Sequence, residues 1–426
     1  MANKRSTKDL SLSSNERLYL KDNHSFLFKR KKEKNFKSKY LDFYTFHAGF
    51  KKKLDDLLVI VFKELTPLSA VYSKTSTPSA PIIWDKKNNR GFCKLLIINA
   101  GNANAHTGKN GVKAIDKYVA AASKYFKCKK SQILVSSTGV IGEKLNVDKI
   151  IEIFPKISKS RPKNLLSASK AIMTTDTYPK NIVKKVKINS KVIKISGIAK
   201  GSGMIHPNMA TMLSFIFTDA NIPSVFLKSI LKKVAATTFN SITVDGDTST
   251  NDMVGIFSTG KAKNSKIYNV LDPKLQEFEK ALHKVCLNLA KQIVVDGEGA
   301  KKFLTINVIN AKSLGSAKNI AFSIANSPLL KTAVAGEDPN WGRIVMGIGK
   351  SGEIVDAKKL KIKIGGFVVA ENGKVSESYD EKKLKEYMLW DSIEIEVNLK
   401  LGNDAFKCYT CDFTHDYIDI NADYRN

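Results

Sequence analysis

The stretch KGSGMIHPNMATMLSFIFT, residues 200–218, is the most informative part of this sequence. Glycine and serine fill 201–203, after Lys200, and the largely apolar run 212–218 has the length and composition of a buried strand. Such glycine-punctuated turns let backbone N–H groups converge on a ligand or a developing oxyanion. Thr211 lies where the turn enters that strand and follows the small residue Ala210. The stretch therefore predicts a nucleophile at the mouth of a core strand.

Thr211 has the setting of an N-terminal nucleophile. Attack of its hydroxyl on the Ala210 carbonyl, an N-to-O acyl shift and hydrolysis would free a new α-amine, whose unperturbed pKa is ~7.7–8.0. That amine could deprotonate its own hydroxyl, so no histidine is required. The six histidines offer no convincing triad partner, and G-x-S-x-G does not occur. We interpret His206 as a turn residue rather than a base.

Three other segments have the same turn-rich composition. They are NAGNANAHTG at 99–108, SSTGVIG at 136–142 and TVDGDTSTND at 243–252. Each one alone is compatible with an ordinary loop. Together with 200–213, they favour an active site.

The net charge of +30 comes from 70 Lys and Arg residues against 40 Asp and Glu residues. Only seven of the basic residues are arginine, the residue that nucleic-acid sites use for bidentate and stacking contacts. The lysines are scattered through every segment. We therefore expect no nucleic-acid partner, although a non-enzymatic basic binding protein stays open as an alternative. Nucleic-acid binding that survives physiological salt would favour it.

The sequence also lacks several common signatures. Apolar runs such as 57–62 are far shorter than the ~18 residues of a membrane span, and the N-terminus has no secretory h-region. The five cysteines form no disulfide framework, which favours a reducing, cytoplasmic location. GIGKSG at 347–352 lacks the first glycine of a phosphate loop, and DGDTSTND at 245–252 lacks the glycine of a calcium loop. A single C-x-x-C at 408–411 is too little for zinc, so we expect no metal.

The pattern of polar and apolar residues predicts a mixed α/β protein in two lobes. Residues 1–40, with twelve basic and four acidic residues, are predicted to be a disordered extension. A catalytic α/β body would cover 41–300, with self-cleavage at 210/211, and a C-terminal α/β lobe 301–426. The predicted strands are 57–62, 95–99, 132–136 and 212–218, the predicted helices are 111–126, 225–237 and 273–294, and strand-like alternation is predicted from Phe303 onward, as in 360–364 and 393–399.

The turn segments belong to a longer series of ordered motifs. Besides 99–108, 136–143, 200–213 and 243–252, the series includes MTTDTYPK at 173–180, DGEGAKK at 296–302, GEDPNWGRI at 336–344 and INADYRN at 420–426. With these motifs the sequence resembles the bifunctional ornithine acetyltransferase and amino-acid N-acetyltransferase family of arginine biosynthesis. The resemblance covers residues from about 45 to 426. It implies a layered α/β sandwich body with an N-terminal-nucleophile-like site and a smaller α/β lobe.

The resemblance also implies a reaction. The chain would cleave itself between Ala210 and Thr211, and Thr211 would carry acetyl from N-acetylornithine to glutamate in a ping-pong cycle. Thr138 and Gly139 would form the oxyanion hole. No cofactor is implied, and whether acetyl-CoA is a second acetyl donor stays open. The two fragments would assemble as a heterotetramer of two α and two β chains. The implied substrate contacts are Thr174, Lys200, Thr211, Glu298, Asn421 and Asn426.

These residue types suit amino-acid substrates, because Lys200 could pair with an α-carboxylate and Glu298 with an ornithine ammonium. Two positions depart from the family pattern: His106 replaces a usual Cys, which we expect to alter packing, and Asn426 replaces a usual Thr or Ser. The basic leader is longer than usual. The competing enzyme class is a self-processing aminopeptidase or amidohydrolase with an N-terminal nucleophile. The two classes differ in the acyl acceptor, which is glutamate for the acetyltransferase and water for the hydrolase.

Overall fold

The computed structural model describes residues 36, 38–188, 191–206, 212–265, 267, 269 and 271–423. Most of the predicted N-terminal extension, and with it the prediction of disorder, lies outside these residues. The strands are β1 (Leu41–Phe46), β2 (Leu57–Tyr72), β3 (Phe92–Asn102), β4 (Ile133–Val140), β5 (Lys180–Ile188), β6 (Lys191–Lys200), β7 (Leu213–Thr218), β8 (Met253–Ser258), β9 (Phe303–Ala311), β10 (Lys361–Ile364), β11 (Phe367–Glu371), β12 (Lys374–Val375), β13 (Ser392–Asn398) and β14 (Asp404–Cys411).

The helices of the described chain alternate with these strands. They are α1 (Ala80–Asn88), α2 (Gly108–Tyr125), α3 (Asp148–Ile151), α4 (Phe154–Ile157), α5 (Leu165–Ala171), α6 (Ser224–Ala236), α7 (Pro273–Val295), α8 (Leu314–Ala325), α9 (Pro328–Ala335), α10 (Trp341–Gly349), α11 (Glu381–Met388) and α12 (His415–Ala422). The mixed α/β class predicted from the sequence is confirmed. None of the helices in the described ranges is both long and apolar enough to cross a membrane.

The chain divides into two compact units. The larger contains the described residues of 33–240 and 247–293, and the smaller contains 241–246 and the described residues from 294 onward. The domain boundaries given above stay a prediction.

The larger unit is built on one sheet with the order β4-β3-β2-β8-β7-β6-β5, and β1 pairs with β2. Strand β2 joins the two halves of this sheet. The first residues of β2 pair with β3, and Leu68–Tyr72 pair with β8. The register of the β2–β3 pairing shifts between Val61 and Thr66. Such an irregularity bends a strand and lets it pass from one layer to another.

Alternation along the strands explains the layering. Leu58 and Ile60 on β2 share one core cluster with Ile198 and Phe215 from the other half of the sheet. Because neighbouring side chains on a strand point to opposite faces, Leu57 and Val59 belong to a second cluster, and that cluster includes buried residues of α1 and α2. The larger unit is therefore a layered α/β sandwich, as the resemblance implied.

The smaller unit contains the sheet β12-β11-β10-β13-β9-β14. Only β9 and β13 among its described pairs run parallel, and their alternating buried residues pack under α8 and α10. The Lys331 side chain is fully buried in this unit, where its Nζ donates to Val244 O at 2.7 Å and Thr410 Oγ1 at 2.9 Å. This lysine anchors the short segment 241–246 to β14.

Predicted elements in the first half of the chain agree with the structure, including the strand that follows Thr211. The prediction of strand-like alternation from Phe303 onward is wrong in part, because α8, α9, α10 and α11 interrupt it. Cys408 and Cys411 both lie in β14 and are buried. Their odd spacing directs the two side chains to opposite faces of the strand, which does not suit a shared ligand.

Candidate functional site

Two of the turn segments predicted from the sequence lie at one edge of the larger sheet. Strands β3 and β4 run parallel, so their carboxyl ends meet, with Ala100 opposite Thr138 and Gly101 opposite Gly139. Gly139 has a φ of 132°, and a Cβ placed there would lie 2.2 Å from the Gly101 carbonyl carbon. Only glycine allows this close approach of the two strands. The approach leaves the STG turn at a fixed place at the sheet edge.

A third turn segment holds these two together. Asn251, from 243–252, donates its two amide N–H groups to Ala103 O at 2.7 Å and Ser137 O at 2.8 Å. Ser137 Oγ in turn donates to Asn99 Oδ1 at 2.6 Å. One side chain thus fixes the relative position of both strand ends.

The turn at 200–206 approaches the same edge. Lys200, at the end of β6, donates from Nζ to Thr138 Oγ1 at 3.1 Å. A hydroxyl that accepts a hydrogen bond keeps its own proton available to donate. Thr138 is almost fully buried, so this proton has few competing water partners. Two residues predicted to act in the site therefore contact each other directly.

Asp176 lies between two of the predicted substrate contacts. Its Oδ2 accepts from the Thr174 backbone N–H at 3.0 Å, and its Oδ1 accepts from the Gly201 N–H at 2.7 Å and from Lys180 Nζ at 2.6 Å. Burial by itself would raise the pKa of Asp176. The charges of Lys180 and Lys200, with the Gly201 hydrogen bond, outweigh burial and hold the pKa well below its usual value. The carboxylate is therefore ionised.

Lys51 is a further cation close to these groups. Its Nζ donates to the carbonyl oxygens of Ala171 and Met173, at 3.2 and 3.1 Å. The Asp56 carboxylate orders the loop before it by accepting the backbone N–H groups of residues 48–51. Burial lowers the pKa of Lys51, and Lys200 adds to this, while Asp56 and Asp176 act in the opposite direction.

The predicted cleavage residues Ala210 and Thr211 lie outside the described residues. Their described neighbours are well ordered by hydrogen bonds. Met212 O accepts from the Met253 N–H at 3.0 Å, and Leu213 pairs with Lys200 across β6 and β7. Leu213, two positions after Thr211 in the sequence, is thus paired with a residue that contacts Thr138.

Glu298 and Asn421, both in the smaller unit, contact each other. Asn421 Nδ2 donates to Glu298 Oε2 at 2.9 Å and to the Tyr417 carbonyl, also at 2.9 Å. Gly299 has a φ of 70°, and a Cβ there would lie 2.5 Å from the Tyr417 nitrogen. This close contact packs α12 against the loop that carries Glu298, whose side chain is only slightly exposed. Asn426 lies outside the described residues.

Two histidines singled out by sequence have other settings. The His206 carbonyl accepts from Thr248 Oγ1 at 2.9 Å, and the interpretation of His206 as a turn residue stays a prediction. His106 is exposed, with a φ of 55°. The expected effect of this His on packing, relative to the usual Cys, stays a prediction.

Sequence reasoning did not single out Asp176, Lys51 or Asn251. Two of them lay inside quoted motifs, Asp176 in 173–180 and Asn251 in 243–252. The ion pair of Asp176 and Lys180 was not readable from their spacing, because the rule for residues four apart applies to helices and these two lie in a loop and at the start of β5. Lys51 gave no signal among 70 basic residues.

Comparison with known proteins identifies the family of this chain. The ArgJ family model matches residues 42–426. The arginine biosynthesis bifunctional protein ArgJ of Gluconobacter oxydans is 47% identical over 87% of this chain and 88% of its own length. The corresponding protein of Bradyrhizobium diazoefficiens is 45% identical over 90% and 94%. A solved ArgJ from Bacillus halodurans is 42% identical, with a TM-score of 0.47, and covers 49% of this chain and 97% of its own.

The family match defines an acyltransferase of arginine biosynthesis. The chain belongs to the ArgJ family. The aminopeptidase class, predicted as the alternative, is not the class that this match supports.

Proposed function

We propose that the enzyme transfers the acetyl group of N-acetylornithine to glutamate through an acetyl ester on Thr211. The observation that carries the proposal is the hydrogen bond from Lys200 Nζ to Thr138 Oγ1, beside Gly139 and the strand that follows Thr211. Because Thr138 Oγ1 accepts this hydrogen bond, the Thr138 hydroxyl proton is one candidate donor to an oxyanion. The neighbouring Gly139 N–H is the second candidate donor at this strand end.

The first step is self-cleavage. The Thr211 hydroxyl attacks the Ala210 carbonyl, its proton passes to the departing amide nitrogen, and an ester replaces the peptide bond. Water then hydrolyses the ester to an Ala210 carboxylate and the free Thr211 hydroxyl. The new Thr211 α-amine has an unperturbed pKa of ~7.7–8.0 and is partly neutral at physiological pH. It is the base for the second step.

The second step is transfer. The Thr211 amine accepts the hydroxyl proton while the oxygen attacks the acetyl carbonyl of N-acetylornithine. The Thr138 hydroxyl and Gly139 N–H stabilise the tetrahedral oxyanion, and ornithine leaves with the proton on its α-amine. The glutamate amine then attacks the acetyl ester and regenerates Thr211. No cofactor takes part in this cycle.

The substrate contacts are proposed for Thr174, Lys200, Thr211, Glu298, Asn421 and Asn426. Lys200 supplies a positive charge for an α-carboxylate, and Glu298 supplies a negative charge for the ornithine ammonium. Asn421 supports that role, because its hydrogen bond fixes one Glu298 oxygen and leaves the other for substrate. The cleaved fragments would form a heterotetramer of two α and two β chains in the cytoplasm.

The test combines processing with transfer. Purified protein should give two fragments of 210 and 216 residues on a denaturing gel, whereas Thr211→Ala should remain one chain. Thr211→Ser is the matched control, because it keeps the hydroxyl. Incubation with N-acetylornithine alone should add one acetyl group to the second fragment by mass spectrometry, and glutamate should remove it as N-acetylglutamate.

Three results would contradict the proposal: an intact wild-type chain, no acetylated fragment, or release of acetate to water with glutamate present. The last result would instead indicate a hydrolase. Replacing N-acetylornithine by acetyl-CoA in the same assay decides whether the enzyme also makes N-acetylglutamate from that donor.

A further inference from the structure

The peptide group between Met173 and Thr174 is held at both ends. Its carbonyl oxygen accepts from Lys51 Nζ at 3.1 Å, and its N–H donates to Asp176 Oδ2 at 3.0 Å. A peptide plane held from opposite sides has little freedom to rotate. The Thr174 side chain therefore projects from a fixed point of the backbone.

The same carboxylate fixes the turn that carries Lys200. Asp176 Oδ1 accepts from the Gly201 N–H at 2.7 Å, directly after Lys200 in the chain. Gly201 has a φ of 149°, which favours glycine, so the turn has a conformation that few other residues adopt. One side chain thus joins the backbones of two segments that the sequence separates by 25 residues.

We propose that Asp176 is a positioning residue for acetyl transfer, fixing Thr174 and Lys200 relative to each other, with Lys51 holding the opposite side of the Thr174 peptide. This inference rests on the proposed function, which makes Thr174 and Lys200 substrate contacts. Asp176 itself does not touch substrate in this account. It acts through the backbone of both residues.

An ionised carboxylate suits this role better than a neutral amide. Asp176 accepts three hydrogen bonds, two of them on one oxygen, and an ionised carboxylate offers only acceptor sites. Asparagine would place a donor NH₂ group opposite either the Thr174 or the Gly201 N–H. Lys180 is fully buried beside Asp176, and its Nζ forms an ion pair with the carboxylate at 2.6 Å, away from water.

The lysines around Asp176 are the reason to expect that losing Asp176 affects substrates with a carboxylate most. Lys180, Lys200 and Lys51 all act on this one carboxylate or lie within its electrostatic reach. Lys180 pairs with Asp176, and Lys51 is faced by Asp55 and Asp56 as well as by Asp176, so Lys200 is the cation proposed to bind a substrate carboxylate. The strength of that interaction depends on where Lys200 is held.

The experiment measures a ratio of substrates rather than activity alone. We compare kcat/KM for N-acetylornithine with kcat/KM for N-acetylornithinamide, which lacks the carboxylate charge. Asp176→Asn should lower this ratio by on the order of 10-fold or more, because small displacements of a binding group are costly. Lys51→Met should lower it by a few fold. Lys52→Met, which removes a neighbouring exposed lysine, is the matched control and should leave the ratio unchanged.

Stability is controlled by the double variant Asp176→Asn with Lys180→Met, which removes both buried charges together. The free energy of unfolding of the double variant should be closer to the wild-type value than that of Asp176→Asn is. The lowered kcat/KM ratio should remain. An equal fall for both substrates, in Asp176→Asn and Lys51→Met alike, would overturn the inference and indicate a structural role. If Asp176→Asn does not fold, Lys51→Met against Lys52→Met decides the question.

The two proposals fail in different ways. A wild-type enzyme that moves no acetyl from N-acetylornithine to glutamate overturns the proposed function and this inference with it. An active wild type whose variants keep the wild-type ratio overturns the inference alone.

Discussion

Lys200 Nζ lies 3.1 Å from Thr138 Oγ1 and donates to it, although the two residues are 62 positions apart. They belong to β6 and β4, which are not neighbours in the sheet. The contact exists because β2 passes between the two halves of the sheet, so both halves contribute to one core. The same packing brings two strand ends together at the candidate site.

The first prediction concerns the Thr138 hydroxyl. Thr138→Val keeps the shape of the side chain and removes the donor, so kcat should fall by on the order of 10²–10³-fold, as for other oxyanion-hole donors. Thr138→Ser should restore most of the rate. Steady-state kinetics with N-acetylornithine and glutamate check this, and KM should change little because the interaction belongs to the transition state. A Thr138→Val enzyme with a wild-type kcat would contradict the oxyanion role.

Local motifs made the turns and the strand after Thr211 predictable from sequence, and the role of Thr211 as nucleophile stays a prediction. The segment 200–218 has glycines, small residues and an apolar strand in one stretch, and the strand is observed as β7. The contact between Lys200 and Thr138 was not predictable. It depends on the register shift in β2, and nothing in the local sequence 61–66 indicates which layer each half joins. Asp176 was missed because its link to a second segment depends on Gly201, which is 25 positions away, whereas Thr174 and Lys180 lie in its own motif.

Asn251 gives the second prediction. Asn251→Ala removes both hydrogen bonds to Ala103 O and Ser137 O and leaves two buried carbonyls without this donor. The free energy of unfolding should fall by about 1–3 kcal/mol. Chemical denaturation measures it, with Asn403→Ala, at an exposed bend, as the control. Equal stability of the two variants would show that Asn251 does not hold the turns.

The helices after residue 303 show what the sequence analysis could have used. Ser313, Ser327 and Asp380 each accept a backbone N–H from the third residue after them and so cap α8, α9 and α11. Serine and aspartate are common at helix N-caps, and Pro328 follows Ser327 at the first helical position. These signals were local and readable. The alternation of 360–364 and 393–399 drew attention away from them, although both strands were predicted correctly.

Asp85 gives the third prediction, a dependence of stability on pH. Burial raises the pKa of Asp85 well above its usual value, against the opposing effect of the Val135 N–H. Burial also raises the pKa values of Tyr72, Cys93 and Tyr118 nearby, so these neighbours stay neutral. The folded state therefore favours the protonated acid, whereas the unfolded state ionises near its ordinary pKa of ~3.9.

The sign follows from this difference in proton binding. Below about pH 4, burial of Asp85 does not lower the free energy of unfolding. Above that pH, the free energy of unfolding falls by at most about 1.4 kcal/mol per pH unit until the folded-state pKa is reached. Asp85→Asn should therefore be more stable than wild type at pH 7, and the two should converge near pH 4. Denaturant unfolding followed by far-UV circular dichroism at several pH values checks this. A difference in stability that is constant with pH would refute it.

Glu298 gives the last prediction, and it tests charge recognition by the smaller unit. Glu298→Gln keeps an oxygen for Asn421 Nδ2 and removes the negative charge proposed to bind the ornithine ammonium. A charged hydrogen bond contributes about 1.5–3 kcal/mol, so kcat/KM for N-acetylornithine should fall by roughly 10- to 150-fold. With N-acetylnorvaline, which has no ammonium, kcat/KM should change little, because Glu298 then has no charge to bind. Asp419→Asn removes an exposed carboxylate from the same helix as Asn421 and is the matched control. If Glu298→Gln lowers kcat/KM equally for both substrates, Glu298 supports the structure of the loop rather than recognising the ammonium.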